Sequence, residues 1–313
     1  MIVICPAAPG SRAGNRTTAL RWVAMLRALG NRVRLREQYL GEPCDLLVAL
    51  HARKSAASVW RSFQERPDRP VIVALTGTDL YRDLPESQAA QTALDMAWRI
   101  VILQPLAFER IPEMHHAKAR VIYQSAVPTL RSAVPFPHHF DISVPGHLRD
   151  EKAPFVAADA SRLLPTTSRV RILQMGRALT PEYEARAQHE QIENRRYCWL
   201  GELSRRNSRR IVAASRAVAL TSVMEGGANV ISEAIVDGIP VIASRIDGSV
   251  GLLGAEYPGL FTAGDTQSLA NLMFRMELDG SFSAELQEHC LKLKPLFEPQ
   301  RELQSWKQLL AGI

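Results

Sequence analysis

The stretch that decides the fold runs from Ala217 to Ser244 and reads AVALTSVMEGGANVISEAIVDGIPVIAS. "AVALTS" is an apolar run typical of a buried strand, and "NVISEAIVDG" has the apolar spacing of a helix that ends near Gly238. "PVIAS" then predicts another strand. A strand, a glycine-rich turn, a helix and a second strand in this order indicate one unit of a parallel, doubly wound sheet.

The same alternation continues in both directions along the chain. Strand-like runs from "MIVICPA" to "RVIYQS" alternate with helical patterns in the first half, and the alternation restarts at "DISVPGHL". From about Thr266 to Leu310 no strand signal remains, which predicts two or three helices. The expected fold class is α/β, with two Rossmann-like, doubly wound parallel sheets that face each other across a cleft.

A proline-rich segment, Ser125 to Phe140, is the best candidate for a domain linker. We therefore expect an N-terminal Rossmann-like acceptor domain over 1–130 and a C-terminal Rossmann-like donor domain over 131–290. The helices of 291–313 are expected to pack back on the N-terminal domain. A chain of 313 residues suits two domains of about 150 residues each.

Composition limits the classes of partner. The net charge of +6 fits either a solvated basic surface or a phosphate-binding cleft, and the arginines are too scattered to favour nucleic acid. The four cysteines are far apart and form no CxxC pair, which indicates reduced, mostly buried residues. The first residues do not resemble a signal peptide and no apolar run reaches 18 residues, so we expect a cytoplasmic protein without membrane contact.

In doubly wound sheets, ligands bind where parallel strands end and helices begin. The first such junction, "CPAAPGSRAGNRTTAL", is a glycine-rich turn that can offer backbone N–H groups to an anion. Its spacing is not GxGxxG, which disfavours a nicotinamide dehydrogenase. The candidate acceptor-binding residues at this junction are Gly10, Ser11, Arg12, Gly14, Asn15 and Arg16.

Two further junctions belong to the first half. In "ALHARKSA", Arg53 and Lys54 could join Arg12 and Arg16 in a basic pocket or simply be solvated, and the lone His51 is more typical of a structural residue. In "ALTGTDLYRDL", Thr78 and Asp79 are acceptor candidates, although Asp79 could instead cap a helix. Weaker candidates of the same kind close neighbouring strands: Gln104, Gln124 and Ser125.

The second half offers cations and paired carboxylates. Arg149 and Lys152 precede a predicted helix, a place suited to a diphosphate. Glu225 and Glu233 are eight positions apart, one in a turn with two glycines and one about a helical turn further on. Carboxylates accept hydrogen bonds from vicinal diols, so a sugar ring and a ribose are natural ligands for them.

These residues resemble the donor site of GT-B glycosyltransferases, family 4 in particular. The resemblance rests on E-x7-E (Glu225 to Glu233), on "GHLRDEK" and on "WLGE" (Trp199 to Glu202). It implies that Arg149 and Lys152 hold the UDP diphosphate, that Glu233 binds the ribose, and that the base stacks near Gly201 and Glu202. The donor sugar would be held by Glu225, Gly226, Gly227, Ala228 and Asn229, with Glu225, Arg149 and Lys152 as the catalytic set. The chain departs from the common E-G-F-G pattern, since it has E-G-G-A-N.

Five motifs together resemble a narrower family, the selenosugar synthases of selenoneine biosynthesis: "GSRAGNRTTALRW", "ALHARKSA", "ALTGTDLYRDL", "GHLRDEK" and "MEGGANVISEA". This resemblance implies selenophosphate as nucleophile and UDP-N-acetylglucosamine as donor. The products would be a 1-seleno-sugar, UDP and phosphate. The UDP-sugar is a co-substrate, no cofactor or metal is expected, and other enzymes of the pathway are conceivable partners. Two alternatives stay open: an enzyme that forms an O-glycoside on a small acceptor, and a nucleotide-sugar sensor without turnover.

Overall fold

The computed structural model describes residues 1–11, 14–129 and 138–313. Its contacts divide the chain into two compact units. Unit 1 consists of Met1–Ser125, Glu225–Asn229 and Pro299–Ile313, and unit 2 consists of Ala126–Met224 and Val230–Glu298. The expected boundary at 130/131 and much of the expected linker lie outside the described residues. The C-terminal residues that group with unit 1 begin at Pro299, eight positions later than the segment expected from the sequence.

Twelve strands form in the described residues, at the places where the sequence predicts them. They are β1 (Ile2–Ile4), β2 (Arg34–Arg36), β3 (Leu47–Leu50), β4 (Val71–Ala74), β5 (Arg99–Ile102), β6 (Ala119–Val121), β7 (Phe140–Pro145), β8 (Val170–Met175), β9 (Tyr197–Trp199), β10 (Ala217–Leu220), β11 (Val241–Ser244) and β12 (Leu260–Phe261).

Eleven α-helices follow or separate the strands in the same described ranges. They are α1 (Gly14–Ala28), α2 (Ala52–Glu65), α3 (Gln88–Met96), α4 (Val156–Arg162), α5 (Pro181–Glu193), α6 (Arg205–Ala214), α7 (Asn229–Asp237), α8 (Asp247–Leu253), α9 (Thr266–Leu278), α10 (Gly280–Leu293) and α11 (Pro299–Leu310). The last three confirm the helical C-terminal stretch. None of the helices in the described ranges combines the length and apolar character needed to cross a membrane.

Each unit contains one six-stranded sheet in which every pairing is parallel. The strand order is β2-β1-β3-β4-β5-β6 in unit 1 and β12-β11-β10-β7-β8-β9 in unit 2. The predicted α/β class with two doubly wound parallel sheets is thereby confirmed. In each sheet the carboxyl ends of neighbouring strands meet at one edge, which is the edge that carries the candidate site.

The sheet of unit 1 is buried on both faces, as its continuous apolar strands require. On β3, Leu47 and Ala49 belong to one core cluster and Val48 and Leu50 to the other, because successive side chains point to opposite faces. Helices α2 and α3 cover the first face, and α1 and α11 cover the second. The core of unit 1 therefore includes residues from the last helix of the chain.

Candidate functional site

The turn after β1 leads into α1 and contains the first group of predicted acceptor residues. Gly10 has a φ of +81°, a conformation that favours glycine. Asn15, in the first turn of α1, donates from Nδ2 to Thr76 Oγ1 at 3.3 Å. Arg12 lies outside the described residues, and the other members are exposed or half-buried: Gly10, Ser11, Gly14, Asn15 and Arg16. Their acceptor role stays a prediction.

Arg53 and Lys54 lie in the first turn of α2, directly after β3. Since β1 and β3 are parallel neighbours, the turns that follow them lie at the same edge of the sheet, as expected from the usual strand order. Arg53 Nε lies 2.8 Å from Oδ2 of the buried Asp83. A protein carboxylate therefore already compensates part of the Arg53 charge, whereas the Lys54 side chain is exposed.

Asp79 is surrounded by donors of the protein itself, which favours the capping role over the acceptor role that the sequence also allowed. Its side chain is fully buried. Oδ1 accepts hydrogen bonds from Thr76 N, Thr76 Oγ1 and Gly77 N at 2.8, 2.9 and 2.9 Å, and Oδ2 accepts one from Ala52 N at 3.0 Å. The carboxylate therefore stabilises the turn after β4 and the start of α2. Asp79 therefore caps α2, a helix that precedes it in the chain.

His51 is the N-cap residue of α2 and combines a buried imidazole with a left-handed backbone. Its φ of 72° is uncommon for a residue other than glycine. Nδ1 accepts from Lys54 N at 3.4 Å, so the proton is on Nε2, which lies 3.1 Å from Thr78 Oγ1. Burial lowers the pKa of His51, while Asp79 and Asp83 oppose this effect. The neutral imidazole is therefore a structural part of the turn that holds Thr78.

The segment Glu225–Asn229, here called the donor loop, belongs to unit 1 and lies against the ends of two of its strands. A Cβ on Gly226 would lie 1.4 Å from Thr76 O, and a Cβ on Gly227 would lie 2.6 Å from Leu103 Cβ. The neighbours that exclude a side chain at both glycines are therefore the protein's own atoms after β4 and β5. The donor-binding role of the two glycines stays a prediction.

Polar side chains of unit 1 hold the donor loop in place. Gln124 Nε2 donates to Gly227 O at 2.5 Å. Asn229 Nδ2 donates to Thr18 Oγ1 at 3.3 Å, and Asn229 Oδ1 accepts from Arg21 Nη1 at 2.9 Å. Gln124 was a weak candidate from the sequence, but Arg21 was missed. Its partner Asn229 is 208 positions away, and no local pattern reveals such a pair.

In unit 2, the turn after β7 carries Arg149 and Lys152. Two hydrogen bonds join this turn to the residues after β10: Thr221 Oγ1 donates to Lys152 O at 3.0 Å, and Val223 N donates to Glu151 O at 3.0 Å. Arg149 Nε lies 3.6 Å from Glu151 Oε2. The two predicted diphosphate ligands are thus placed on a turn whose backbone is fixed at the carboxyl edge of the sheet.

The same turn is also held from α5. Tyr183 Oη donates a short hydrogen bond to Asp150 Oδ1, and Phe155 stacks on the Tyr183 ring with centroids 6.0 Å apart. Burial, together with the bond to Asp150, raises the pKa of Tyr183 to about 12. The phenol therefore stays protonated and keeps donating at neutral pH. This hydrogen bond fixes the side chain of Asp150, which follows Arg149 in the chain.

A small cavity beside this turn is lined by a buried amide. Gln174, on β8, donates from Nε2 to Val144 O at 3.1 Å, while its Oε1 is buried and makes no hydrogen bond to the described part of the chain. The Lys152 side chain lines the same cavity and passes 3.4 Å from where a Cβ of Gly146 would be. Gly146 therefore leaves room for the lysine stem.

The turn after β9 carries Gly201 and Glu202, the residues predicted to lie near the base. Gly201 has a φ of +63°, and no described atom lies within 4 Å of where its Cβ would be. Trp199 Nε1 donates to Gly176 O at 2.9 Å, which fixes the end of the strand. Burial lowers the pKa of His147, and the nearby Glu202 carboxylate opposes this effect. The roles of Gly201 and Glu202 toward a base stay predictions.

Glu233 lies on α7, about one turn after its start, as the sequence indicates. Its Oε1 accepts from Arg205 Nη2 at 2.6 Å and lies 3.8 Å from Arg209 Nη1. Arg209 is buried and also donates to Asp237 Oδ2 at 2.8 Å. The predicted ribose ligand is therefore an oriented carboxylate with a cation on α6 as its partner.

In the described ranges, no three His, Cys, Asp or Glu side chains are grouped in a way that could hold a metal ion. The expectation that the protein needs no metal or cofactor stays a prediction.

Comparison with solved structures identifies the fold. The chain superposes on HepE of Anabaena, solved in complexes with UDP and with UDP-glucose, with a TM-score of 0.78, 18% identity, and 100% of this chain and 99% of HepE covered. It is also similar to sucrose-phosphate synthase of Thermosynechococcus elongatus, with a TM-score of 0.76, 16% identity, and 100% and 99% of the two chains covered. The architecture is therefore that of GT-B glycosyltransferases.

A sequence family is matched by part of the chain. Residues 139–278 match the family described as glycosyl transferases group 1. The matched segment contains Arg149, Lys152, Glu225 and Glu233. No match is found in a search of curated protein sequences. The family match and the fold agree, since both relate this chain to glycosyltransferases.

Proposed function

We propose that the protein is a glycosyltransferase that takes its sugar from a UDP-sugar. The observation that carries the proposal is the turn of Arg149 and Lys152, two cations on a backbone that is hydrogen-bonded to the end of β10. Such a turn suits a diphosphate, whose negative charge increases as the sugar leaves. Further support comes from HepE of Anabaena, which has the same fold and was solved with UDP-glucose bound.

The other predicted donor residues take the parts that the resemblance implies. Glu233 accepts hydrogen bonds from the ribose hydroxyls, a role for which the Arg205 contact already orients it. Gly201 and Glu202 lie beside the base. Glu225 and the backbone of the donor loop hold the sugar. Arg149 and Lys152 stabilise the departing UDP, so their contribution is to the transition state as well as to binding.

For the acceptor we propose selenophosphate, and for the donor UDP-N-acetylglucosamine. Selenium attacks the anomeric carbon, the bond from that carbon to the diphosphate oxygen breaks, and its electron pair leaves with UDP. Water then cleaves the phosphorus–selenium bond and releases phosphate and the 1-seleno-sugar. The support is the set of five motifs and the basic character of the turns after β1 and β3, where Arg16 and Lys54 are candidates for the phosphate. A selenium nucleophile needs little deprotonation at neutral pH, so the step requires no dedicated general base.

UDP release tests the proposal. The wild type is incubated with UDP-N-acetylglucosamine or UDP-glucose, together with selenophosphate, with candidate alcohols or with no acceptor, and UDP is quantified. We expect release that depends on selenophosphate and a kcat that falls roughly 100-fold or more in Lys152→Ala, because a charge-assisted contact made in the transition state is lost. Lys292→Ala is the matched control, since this lysine of α10 is exposed and pairs with Glu288 of the same helix at 2.8 Å. It should retain wild-type kcat.

Three outcomes would contradict parts of the proposal. UDP release with alcohols but not with selenophosphate would replace the selenium acceptor by an O-glycoside acceptor. Binding of a UDP-sugar with no release under any condition would indicate a sensor. Equal loss of activity in the Lys152 and Lys292 variants would show that Lys152 has no specific role in binding the diphosphate.

A further inference from the structure

Arg21, on α1, lies at the centre of a polar network in unit 1. Its guanidinium donates from Nε to both carboxylate oxygens of Glu302, at 3.2 and 2.9 Å. Nη1 donates to Asn229 Oδ1 at 2.9 Å, and Nη2 donates to Gln124 Oε1 at 2.8 Å. Three of its nitrogens are thus directed at three different partners, and the side chain is only 11% exposed.

Glu302, on α11, keeps the guanidinium from rotating. Its carboxylate is buried and accepts further hydrogen bonds from Trp22 Nε1 and from Ser125 N, both at 2.7 Å. A planar guanidinium bound to an immobile carboxylate has one orientation, because its donors are fixed relative to each other. The ion pair with Glu302 therefore fixes the directions in which Nη1 and Nη2 donate.

Both Nη1 and Nη2 of Arg21 hold the donor loop, one directly and one through Gln124. Nη1 binds the Asn229 side chain directly. Nη2 binds Gln124, whose amide in turn donates to Gly227 O at 2.5 Å. With Gly226 pressed against Thr76 O, three of the five residues of the donor loop are held by named contacts. Glu225 directly precedes Gly226 in the chain, so its position depends on this fixed backbone.

We propose that Arg21 is a positioning residue of the reaction, which acts through Asn229 and Gln124 to set the conformation of the donor loop. The inference rests on the proposed function, in which Glu225 and the backbone of the loop hold the donor sugar. Loss of this contact should disturb the sugar-dependent step and leave the affinity for UDP alone unchanged.

The test compares Asn229→Ala, Arg21→Lys and the double variant with wild type. We expect kcat for UDP-sugar turnover to fall roughly 10- to 100-fold in each single variant, the range for one charge-assisted hydrogen bond. The double variant should be within about 3-fold of the worse single variant, because both substitutions remove one shared interaction. The Kd for UDP, measured by calorimetry, should change by less than about 2-fold. Asn229→Asp keeps the oxygen that Arg21 binds and should recover part of the activity.

Arg171→Lys is the matched control. This arginine also pairs with a buried carboxylate, since its Nε and Nη2 donate to Asp141 Oδ1 and Oδ2 at 2.7 and 2.9 Å, at the amino end of the sheet of unit 2. It should lower the melting temperature as Arg21→Lys does, without lowering kcat. Equal kcat losses in the two lysine variants, or multiplicative losses in the double variant, would overturn the positioning role.

Hydrogen exchange separates this inference from the proposed function. Asn229→Ala and Arg21→Lys should speed exchange of the Gly226 and Gly227 amides about 10-fold or more, and Arg171→Lys should not. Unchanged exchange at these amides would overturn the positioning role whether or not the enzyme turns over a UDP-sugar. An inactive wild type with faster exchange in the two variants would instead contradict the proposed function and leave the loop contact supported.

Discussion

At the scale of single residues, position 226 has no space for a side chain. A Cβ there would lie 1.4 Å from Thr76 O, a backbone atom of a turn that the buried Asp79 holds through three hydrogen bonds. Neither side of the contact can give way by rotating a side chain. The glycine is therefore required by packing within unit 1.

Gly226→Ala should displace the donor loop. We expect a loss of roughly 1–3 kcal/mol in the free energy of unfolding, as for overpacked sites, and a fall in kcat of at least about 10-fold. Gly280→Ala is the control, since no described atom lies within 4 Å of its Cβ position at the start of α10. Chemical denaturation and UDP-release assays measure the two effects. Equal behaviour of the two variants would contradict the packing described for position 226.

His51 predicts a pH dependence of stability. Burial lowers the pKa of His51 below the ordinary value of 6.5, and the positive charges of Lys54 and Arg53 act in the same direction. The negative charges of Asp79 and Asp83 act in the opposite direction. The unfolded chain therefore binds more protons than the folded chain between the lowered pKa and 6.5. Stability contributed by the neutral imidazole is present above 6.5 and is lost as the pH falls.

The measurement is the free energy of unfolding from about pH 7.5 to pH 5.5. His51→Asn should reduce its slope by up to about 1.4 kcal/mol per pH unit, the limit for one proton. A slope that is the same in His51→Asn and wild type would show that His51 titrates alike in both states.

At the scale of elements, sequence periodicity was sufficient to place the strands. Runs such as "LVAL" in β3 are apolar at every position because both faces of the sheet are covered. The start of α7 at Asn229 and its end before Gly238, which has a φ of +71°, were also readable from the turn residues. The long-range contacts between elements could not be predicted from the sequence. The carboxylate of Asp79 caps α2, an element that ends 14 positions before it, so only the fold shows this role.

The last helix, α11, supplies a large part of one core face of unit 1. Trp306 is fully buried and meets the Trp22 ring edge-on, with centroids 5.0 Å apart. Trp306→Ala should cost about 3–5 kcal/mol in the free energy of unfolding, because it leaves a large cavity. Trp60→Ala is the matched control, since Trp60 is 48% exposed on α2 and should cost far less. Urea denaturation followed by circular dichroism would contradict this packing if both variants lost the same amount.

At the scale of the whole molecule, the chain builds unit 1 from three separate segments. The sequence predicted two parallel sheets and the junctions that carry chemistry, because alternation and turn composition are local properties. It did not predict that Glu225–Asn229 groups with Met1–Ser125, or that Arg21 would find Glu302 at a separation of 281 positions. Such pairs depend on how distant elements meet, which no window of sequence contains. The contacts of the donor loop were therefore beyond sequence analysis, although its residues were singled out.

We propose that this molecule transfers a sugar from a UDP-sugar to selenium. The sharpest test is mass spectrometry of the products from UDP-N-acetylglucosamine and selenophosphate, since selenium has a distinctive isotope pattern. We expect one new species that contains a single selenium atom and the intact N-acetylhexosamine, formed together with UDP and phosphate and strongly reduced with Lys152→Ala. UDP formation without any selenium-containing sugar would rule out selenium as the acceptor.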